Sequence, residues 1–501
     1  MKLSENPIFI TRKRLVHRNG MLAAVLIAAL IGFCLLLGLL ESLRELNDHL
    51  FNSFKTPQAA GKAFYGWIVG VEILVIVIGG FSAISRALTE DRKAGLWDSN
   101  RLTPLKPAQI LVGYWFGSAL REFYMALALA GFGLIIVLLG RLPITLWIGT
   151  QTLVASTALF FGLLGLLCGM AFQRSLGLLI FLGLFFLWPF TFMAPSRMLF
   201  DFLLPIYGIG NLFSEHPPGK HDYGTDWNSP PEIFGLPVPP VLLSLVLQLV
   251  IGLFVWRALT RKTANPFQPL LLRWEAFALF GILILSQHAL LWDLWRGKFP
   301  AIIGTSGKNF DHEALLPIVH GGTLFIGALL VFMASPPPEH VRIESLRLGF
   351  KNLGAIFSRS AVSLSLALGG VASIAVLTQF AFGLKNSWQA FVVVAVNLVE
   401  IFLIFALLLE FCRLRHQRRS LGFVALWLFV LCIIPFILAG VFSYEALAHT
   451  SLLAPGFIAL SDHSNDCSSL PFCILSAHFG VAVLLLINWR RQWQKLLTHA
   501  A

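Results

Sequence analysis

Apolar residues in this chain fall in long runs, and polar residues gather in the short segments between them. Twelve runs are long enough to cross a bilayer as helices, near residues 21–40, 64–84, 114–140, 145–172, 176–195, 239–257, 274–295, 315–334, 361–382, 388–410, 421–442 and 471–489. About 20 apolar residues at 1.5 Å per residue cover roughly 30 Å of hydrocarbon. Membrane strands would be about 10 residues long and would alternate polar with apolar positions, which these runs do not. The pattern predicts an all-α, polytopic integral membrane protein of about twelve transmembrane helices.

The runs divide into two six-span halves, residues 1–257 and 274–501, around a cytoplasmic linker at 258–273. Each half has a short basic lead-in, a charged inner segment between its second and third spans (85–109 and 335–360), and a long outer loop before its sixth (196–238 and 443–470). The echo is one of spacing and hydropathy, without a residue-level repeat. Transporter folds often arise by such duplication.

Composition agrees with the pattern. Hydrophobic residues make up 57% of the chain and charged residues 12%, against about 25% charged in soluble domains. The formal charge of +12 would suit nucleic acid, but its distribution points to topology instead. With a cytoplasmic N-terminus, inner segments hold 26 of the 37 Lys and Arg, outer segments hold 10, and Arg121 lies within a span. Cytoplasmic loops are enriched in Lys and Arg, so both termini are expected inside and no nucleic-acid partner is expected. Met21–Leu40 follows a basic stretch as a signal peptide would, yet its apolar region is too long and no small-residue cleavage site follows. It reads as a retained span. Cys34, Cys168, Cys412 and Cys432 lie in or beside spans, where cysteine behaves as a small apolar residue. Cys467 and Cys473 fall near the outer face, where an oxidising compartment would permit a bridge.

Some segments suit helices lying along the inner membrane surface, among lipid headgroups. In "SENPIFITRKRLVHRN", Asn6 can cap and Pro7 can take the first helical position, leaving Lys13, Arg14, His17 and Arg18 for headgroups or a partner. Leu346, Phe350, Leu353 and Phe357 form one apolar stripe within 341–357.

The sharpest interruption is "RALTEDRKAGLWDSNRLTPLKPAQILVG", Arg86–Gly113. A hairpin between two spans needs only a few residues. Thr89-Glu90-Asp91 reads as a capped helix start, Gly95 as a break in regularity, and Pro104 and Pro107 as the stop before the third span. Such a protrusion is what a partner protein can grip; the plain alternative is a solvated loop obeying the positive-inside rule.

These residues resemble the signature of type-2 ATP-binding-cassette (ABC) exporter permeases. That family has an acidic-basic cluster, Gly-Thr-Leu-Glu, a leucine run, Thr-Pro-Leu, and an Ile/Leu-x-Gly-Lys start to the third span. Glu90, Arg92 and Lys93 match the cluster, Gly95 the glycine, Asp98 the acidic position, Thr103-Pro104-Leu105 the turn, and Ile110 and Gly113 the span start. The six-span unit, basic N-terminal elbow and outer excursion fit 1–257, about the first half of the chain. Departures are Leu96 for Thr, Ser99-Asn100-Arg101 for leucines, and Tyr114 where the family often has Lys. The resemblance implies that 86–107 is the coupling segment through which a separate ABC ATPase subunit, carrying ATP and magnesium, drives the spans. It also implies a homodimer or a related permease subunit, and short re-entrant helices in the outer loop, where "FLLPIYGIGN" (Phe202–Asn211) fits. The second half lacks Thr-Pro-Leu, which favours an accessory or degenerate role.

The chain contains no G-x-x-x-x-G-K-[ST] loop; "GTSGKN" (Gly304–Asn309) has only Gly-Lys, in an outer segment. There is no G-x-S-x-G elbow and no H-E-x-x-H helix, so no catalytic residue is assigned. A membrane-embedded transferase acting on lipid-linked substrates, with Glu90-Asp91 as its acidic pair, is an alternative reading, and a membrane scaffold another. Intramembrane ionisable residues mark substrate paths or interhelical contacts. Glu72, Arg121 and Glu400 are the candidates, with Glu122 and Asn397 beside them. Arg121 and Glu122 are sequence neighbours expected on different helix faces, and Arg121 would lie roughly 16 Å into a span beginning near Ile110. His216, His221, Asp222 and Asp226 in one outer loop, and His449, Asp462, His463 and Asp466 in the other, match no metal spacing, and no metal site is assigned.

Overall fold

The computed structural model describes residues 5–18, 20–48, 56–171, 199–203, 206–213, 232–233, 236–266, 268–290, 315–335, 360–381, 388–416 and 470–498. Most of these are helical; the strands among them are two of two residues each, Glu232–Ile233 and Leu236–Pro237. Among the described residues, seven helical stretches are long and apolar enough to cross a membrane: Met21–Arg44, Pro57–Lys93, Leu120–Leu139, Ile144–Ala171, Pro240–Ala264, Ala361–Thr378 and Val392–Cys412. The chain is therefore an all-α protein with the helices of a membrane protein. The runs at 176–195 and 421–442, the stripe at 341–357, Cys432, Cys467, both histidine-bearing outer stretches and Gly304–Asn309 lie outside the described residues, as does the side chain of Cys473.

Contacts divide the chain into two compact units, one of residues 1–231 with 237–265, the other of 232–236 with 266–501. In the first, α1 (Pro7–Arg18) starts as the sequence suggests. Asn6 Oδ1 accepts from the amides of Ile8 at 3.0 Å and Phe9 at 3.4 Å, and Pro7 opens the helix. The long α2 (Met21–Asp48) packs on α7 (Leu120–Leu139) but leaves Leu22, Leu26, Leu30 and Leu37 exposed, the outward apolar face of a helix in lipid. The helix α3 (Pro57–Leu74) is capped by Thr56, whose Oγ1 accepts from Ala59 N at 3.1 Å. Through a π-helical turn, Val75–Gly80, it continues into α4 (Phe81–Lys93). The resulting 37-residue rod is about 55 Å long. That is longer than the roughly 30 Å thickness of a bilayer's hydrocarbon, and most of its charged residues gather at the C-terminal end.

Two expectations change here. Thr89-Glu90-Asp91 does not start a helix; it lies in the last turns of α4, where Thr89 Oγ1 donates to Ser85 O at 2.8 Å. The preceding turn already supplies helical partners, so there are no orphan amides to cap. The third span is also not one helix. There α6 (Pro107–Ser118) and α7 are parted at Ala119 with φ −96° and ψ 13°, and of the two only α7 is long and apolar enough to cross a membrane. Between α4 and α6 lies the short α5 (Leu96–Arg101).

The helix α8 (Ile144–Ala171) is the buried spine of the unit. A Cβ at Gly165 would stand 3.0 Å from Phe81 O, and one at Gly169 would stand 2.9 Å from Leu88 Cβ, so these glycines set how closely α4 lies on α8. Two short helices, α9 (Leu199–Leu203) and α10 (Ile206–Phe213), precede α11 (Pro240–Ala264), which also packs on α8. They fall where a re-entrant hairpin is expected. In the second unit, α12 (Arg273–Leu290) packs on α13 (Leu315–Ala334) and α14 (Ala361–Ala381), while α15 (Trp388–His416) packs on α13, α14 and α16 (Leu470–Thr498). Glu410 fixes the start of α14: Oε1 accepts from Ala361 N at 2.7 Å and Oε2 from Trp489 Nε1 at 2.9 Å.

Candidate functional site

The site with the densest polar geometry is the tip between α4 and α6. It begins where α4 stops. Ala94 N donates to Glu90 O at 2.9 Å and Gly95 N to Arg92 O at 3.3 Å, with Gly95 at φ +73°. That left-handed turn is the usual exit from a helix and favours glycine. The chain reverses into α5, whose Trp97 is buried. Leu102 and Thr103 then close a turn in which Thr103 Oγ1 donates to Asn100 O at 2.5 Å. Pro107 opens α6, while Lys106 N donates to Gln109 Oε1 at 2.9 Å.

Three arginines tie this tip to other helices. Arg92 donates to Gly169 O and Met170 O, the last carbonyls of α8. Arg101 donates to Thr263 O at 2.7 Å and Ala264 O at 3.4 Å, the end of α11, and pairs with Asp98 at 3.5 Å. A guanidinium at a helix C-terminus satisfies orphan carbonyls and meets the negative end of the macrodipole. Arg12 of α1 reaches Asp91 as an ion pair, donates to Ala87 O at 3.2 Å, and lies over the Tyr114 ring at 5.1 Å. The Tyr114 hydroxyl donates to Asp91 Oδ2 and accepts from Asn100 Nδ2 at 2.9 Å. Trp97 packs on the same ring with centroids 5.4 Å apart.

The approach of α1 rests on two glycines of α6. A Cβ at Gly113 would stand 3.0 Å from both Asn6 Oδ1 and Ile8 Cβ, and one at Gly117 would stand 2.8 Å from Arg12 Cβ. Small residues four apart form a flat strip on which a second helix can lie. Asn6 Nδ2 completes the crossing with a 2.7 Å bond to Gln109 O.

Of the residues picked from sequence, Glu90, Lys93, Gly95, Asp98, Thr103 and Pro104 are exposed, Leu105 is half-buried, and Arg92 turns inward to α8. The tip also exposes Leu96 (52%) and Leu102 (89%). The sequence reading missed Arg12, Asn100 and Arg101 as fastening residues and Tyr114 as their centre. The Gly113–Gly117 spacing was the signal for the α1 crossing.

The intramembrane candidates do not form one cluster. Glu72 is buried in α3 and accepts from Gln151 Nε2 of α8 at 3.0 Å, near the Tyr65–Thr150 hydroxyl pair. Arg121 is not deep in a span, because α7 begins at Leu120, and its side chain is 43% exposed. Contrary to expectation it meets Glu122, with Nη2 2.6 Å and Nε 3.0 Å from Oε1. At the first turn after the break at Ala119, the long guanidinium folds back over its neighbour. Glu400 belongs to the second unit, beside Asn397 and His478. Among the described residues no group of three or more His, Cys, Asp or Glu is placed to hold a metal.

The chain matches no family model, no curated protein and no solved structure.

Proposed function

We propose that this chain is the permease subunit of an ABC exporter in a bacterial-type inner membrane, with 86–107 as the segment through which a separate ATPase subunit moves the helices. One observation carries the reading: the stretch that resembles the family's coupling motif is also a protruding, exposed tip bonded to the ends of α8 and α11 and to α1. A push on such a tip reaches three helices at once. Exposed Leu96 and Leu102 supply apolar anchors of the kind that fill pockets on a protein partner, with Glu90, Lys93 and Asp98 as a charged rim.

The reading includes twelve spans in two six-span halves, both termini cytoplasmic, and ATP with magnesium held by the partner. The second half serves as the facing domain, or as an accessory bundle in a homodimer or beside a related permease. The transferase reading is weaker because Asp91 is already committed to Arg12 and Tyr114. The test is photo-crosslinking from Leu102 in native membranes, followed by co-purification with Leu102→Glu. An ATPase adduct from the wild type that the charged variant loses is the expected result. Recovery of no ATPase from wild-type membranes would overturn the proposal.

A further inference from the structure

The second unit contains a buried polar group with no part in the coupling tip. Asn397 and Glu400 lie one turn apart on α15, and His478 comes from α16. All three are at most 8% exposed. Asn397 Nδ2 donates to Glu400 Oε2 at 3.4 Å, and His478 Nδ1 stands 4.0 Å from the same oxygen. Glu400 Oε1 and His478 Nδ1 have no hydrogen-bond partner among the described residues. The neighbouring Ile401, Ile404, Leu408 and Ala482 form an apolar core joining the two helices.

Among the described residues, the other titratable positions on the neighbouring helices are separated from the pair along the chain. On α15, Glu410 is ten residues further, about 15 Å along the helix, and is occupied by Ala361 N and Trp489; Cys412 lies beyond it. On α16, Arg490 and Arg491 lie about 18 Å past His478 and are exposed, and Cys473 precedes His478 by five residues. No titratable residue occurs in α14. On α13, His320 is about 10 Å from Gly327, the residue that receives Phe402. On α12, whose Phe280 meets Phe402 edge-on at 6.0 Å, Arg273 bonds Ser360 and Ser363, Glu275 caps its own helix, and His288 lies near the far end.

Without a proton the Glu400–His478 pair carries a net negative charge; with two it carries a net positive one. Either state places an uncompensated charge among apolar side chains, at a cost of about several kcal/mol. One proton leaves the pair neutral and gives the facing acceptors a donor between them. We infer that Glu400 and His478 form a proton-binding site holding one exchangeable proton between α15 and α16, with Asn397 orienting the carboxylate. The proton is taken from water and returned to water, and no other bond changes. Interacting groups this close titrate as a pair.

The test is infrared difference spectroscopy over pH, on the full chain in lipid nanodiscs, following the deuterium-sensitive carbonyl stretch of a protonated carboxyl. The wild type is expected to show such a band, Glu400→Gln to lose it, and His478→Gln to move its titration midpoint by about one pH unit or more. A band unchanged in Glu400→Gln, or a midpoint unmoved in His478→Gln, overturns the inference. If Glu400→Gln does not fold, the His478→Gln midpoint decides alone. A wild-type spectrum without a titrating carboxyl band overturns it whatever the variants do. Neither readout involves the ATPase, so it stands or falls separately from the transport proposal.

Discussion

Asp91→Asn keeps the size of the side chain at the centre of the tip and removes its charge. Arg12 and Asp91 are 13% and 15% exposed at their side chains, so solvent screens the pair only partly. Removing one partner of a fully buried pair costs about 3–5 kcal/mol. Here Arg12 keeps Ala87 O and the Tyr114 ring, and some water reaches it, so a loss of about 2–3 kcal/mol is the reasonable figure. That energy holds α1 against α4 and α6, so its loss raises the local opening equilibrium of α1 roughly 30- to 150-fold. Hydrogen exchange of the α1 amides reads this directly, with the amides of α15 as an internal control. Arg12→Gln is expected to match it, and the double variant to open α1 little further than either single one. If Asp91→Asn leaves α1 exchange within about threefold of wild type, or the two effects add fully, the pair is not what holds α1 in place.

Other outcomes follow from the same contacts. Gly95→Ala meets no atom within 4 Å, so its cost is conformational, about 1–2 kcal/mol for φ +73°; faster exchange in α5 with α8 unchanged is the expected pattern. Glu72→Gln keeps an acceptor for Gln151 and should leave thermal unfolding nearly unchanged. Glu72→Leu strands that amide at a cost of about 1–3 kcal/mol and should lower the unfolding midpoint measured by tryptophan fluorescence.

The helices were the most legible feature, because a bilayer span is written as an unbroken apolar run. The runs at 145–172, 315–334 and 361–382 reappear as α8, α13 and α14 within a residue or two at either end. The start of α1 was legible for a local reason: Asn6 and Pro7 are a cap and a first-turn residue whatever surrounds them. Breaks inside apolar stretches were not legible. Nothing in hydropathy separates Ser118 from Ala119, and the composition of 81–93 looks like a loop although it continues a rod. The candidate site was half legible. Gly95 and the Pro107 start follow from backbone chemistry, but the partners of Arg12, Arg92 and Arg101 lie 75 or more residues away in sequence. Only packing brings those carbonyls within reach. His478 was hidden in the same way, 78 positions from Glu400 and a helix apart.

The departures from the motif that Arg86–Gly113 resembles make sense together. A leucine run would pack α5 by apolar contact, whereas this chain has Ser99-Asn100-Arg101 there and Tyr114 opposite. Asn100 and Tyr114 bond each other, and Arg101 takes the end of α11. Asn100, Tyr114 and Arg101 are therefore bonding partners, and α5 is fastened by directed bonds as well as by the packing of Trp97 on the Tyr114 ring. If so, Asn100→Leu and Tyr114→Phe should each release α5, and the two together should cost less than their sum by about 0.5–1.5 kcal/mol, the net worth of one hydrogen bond. Hydrogen exchange of the α5 amides in the two single variants and the double measures that coupling. Strict additivity would mean that Asn100 and Tyr114 act separately, and that the departures from the leucine run are unrelated substitutions.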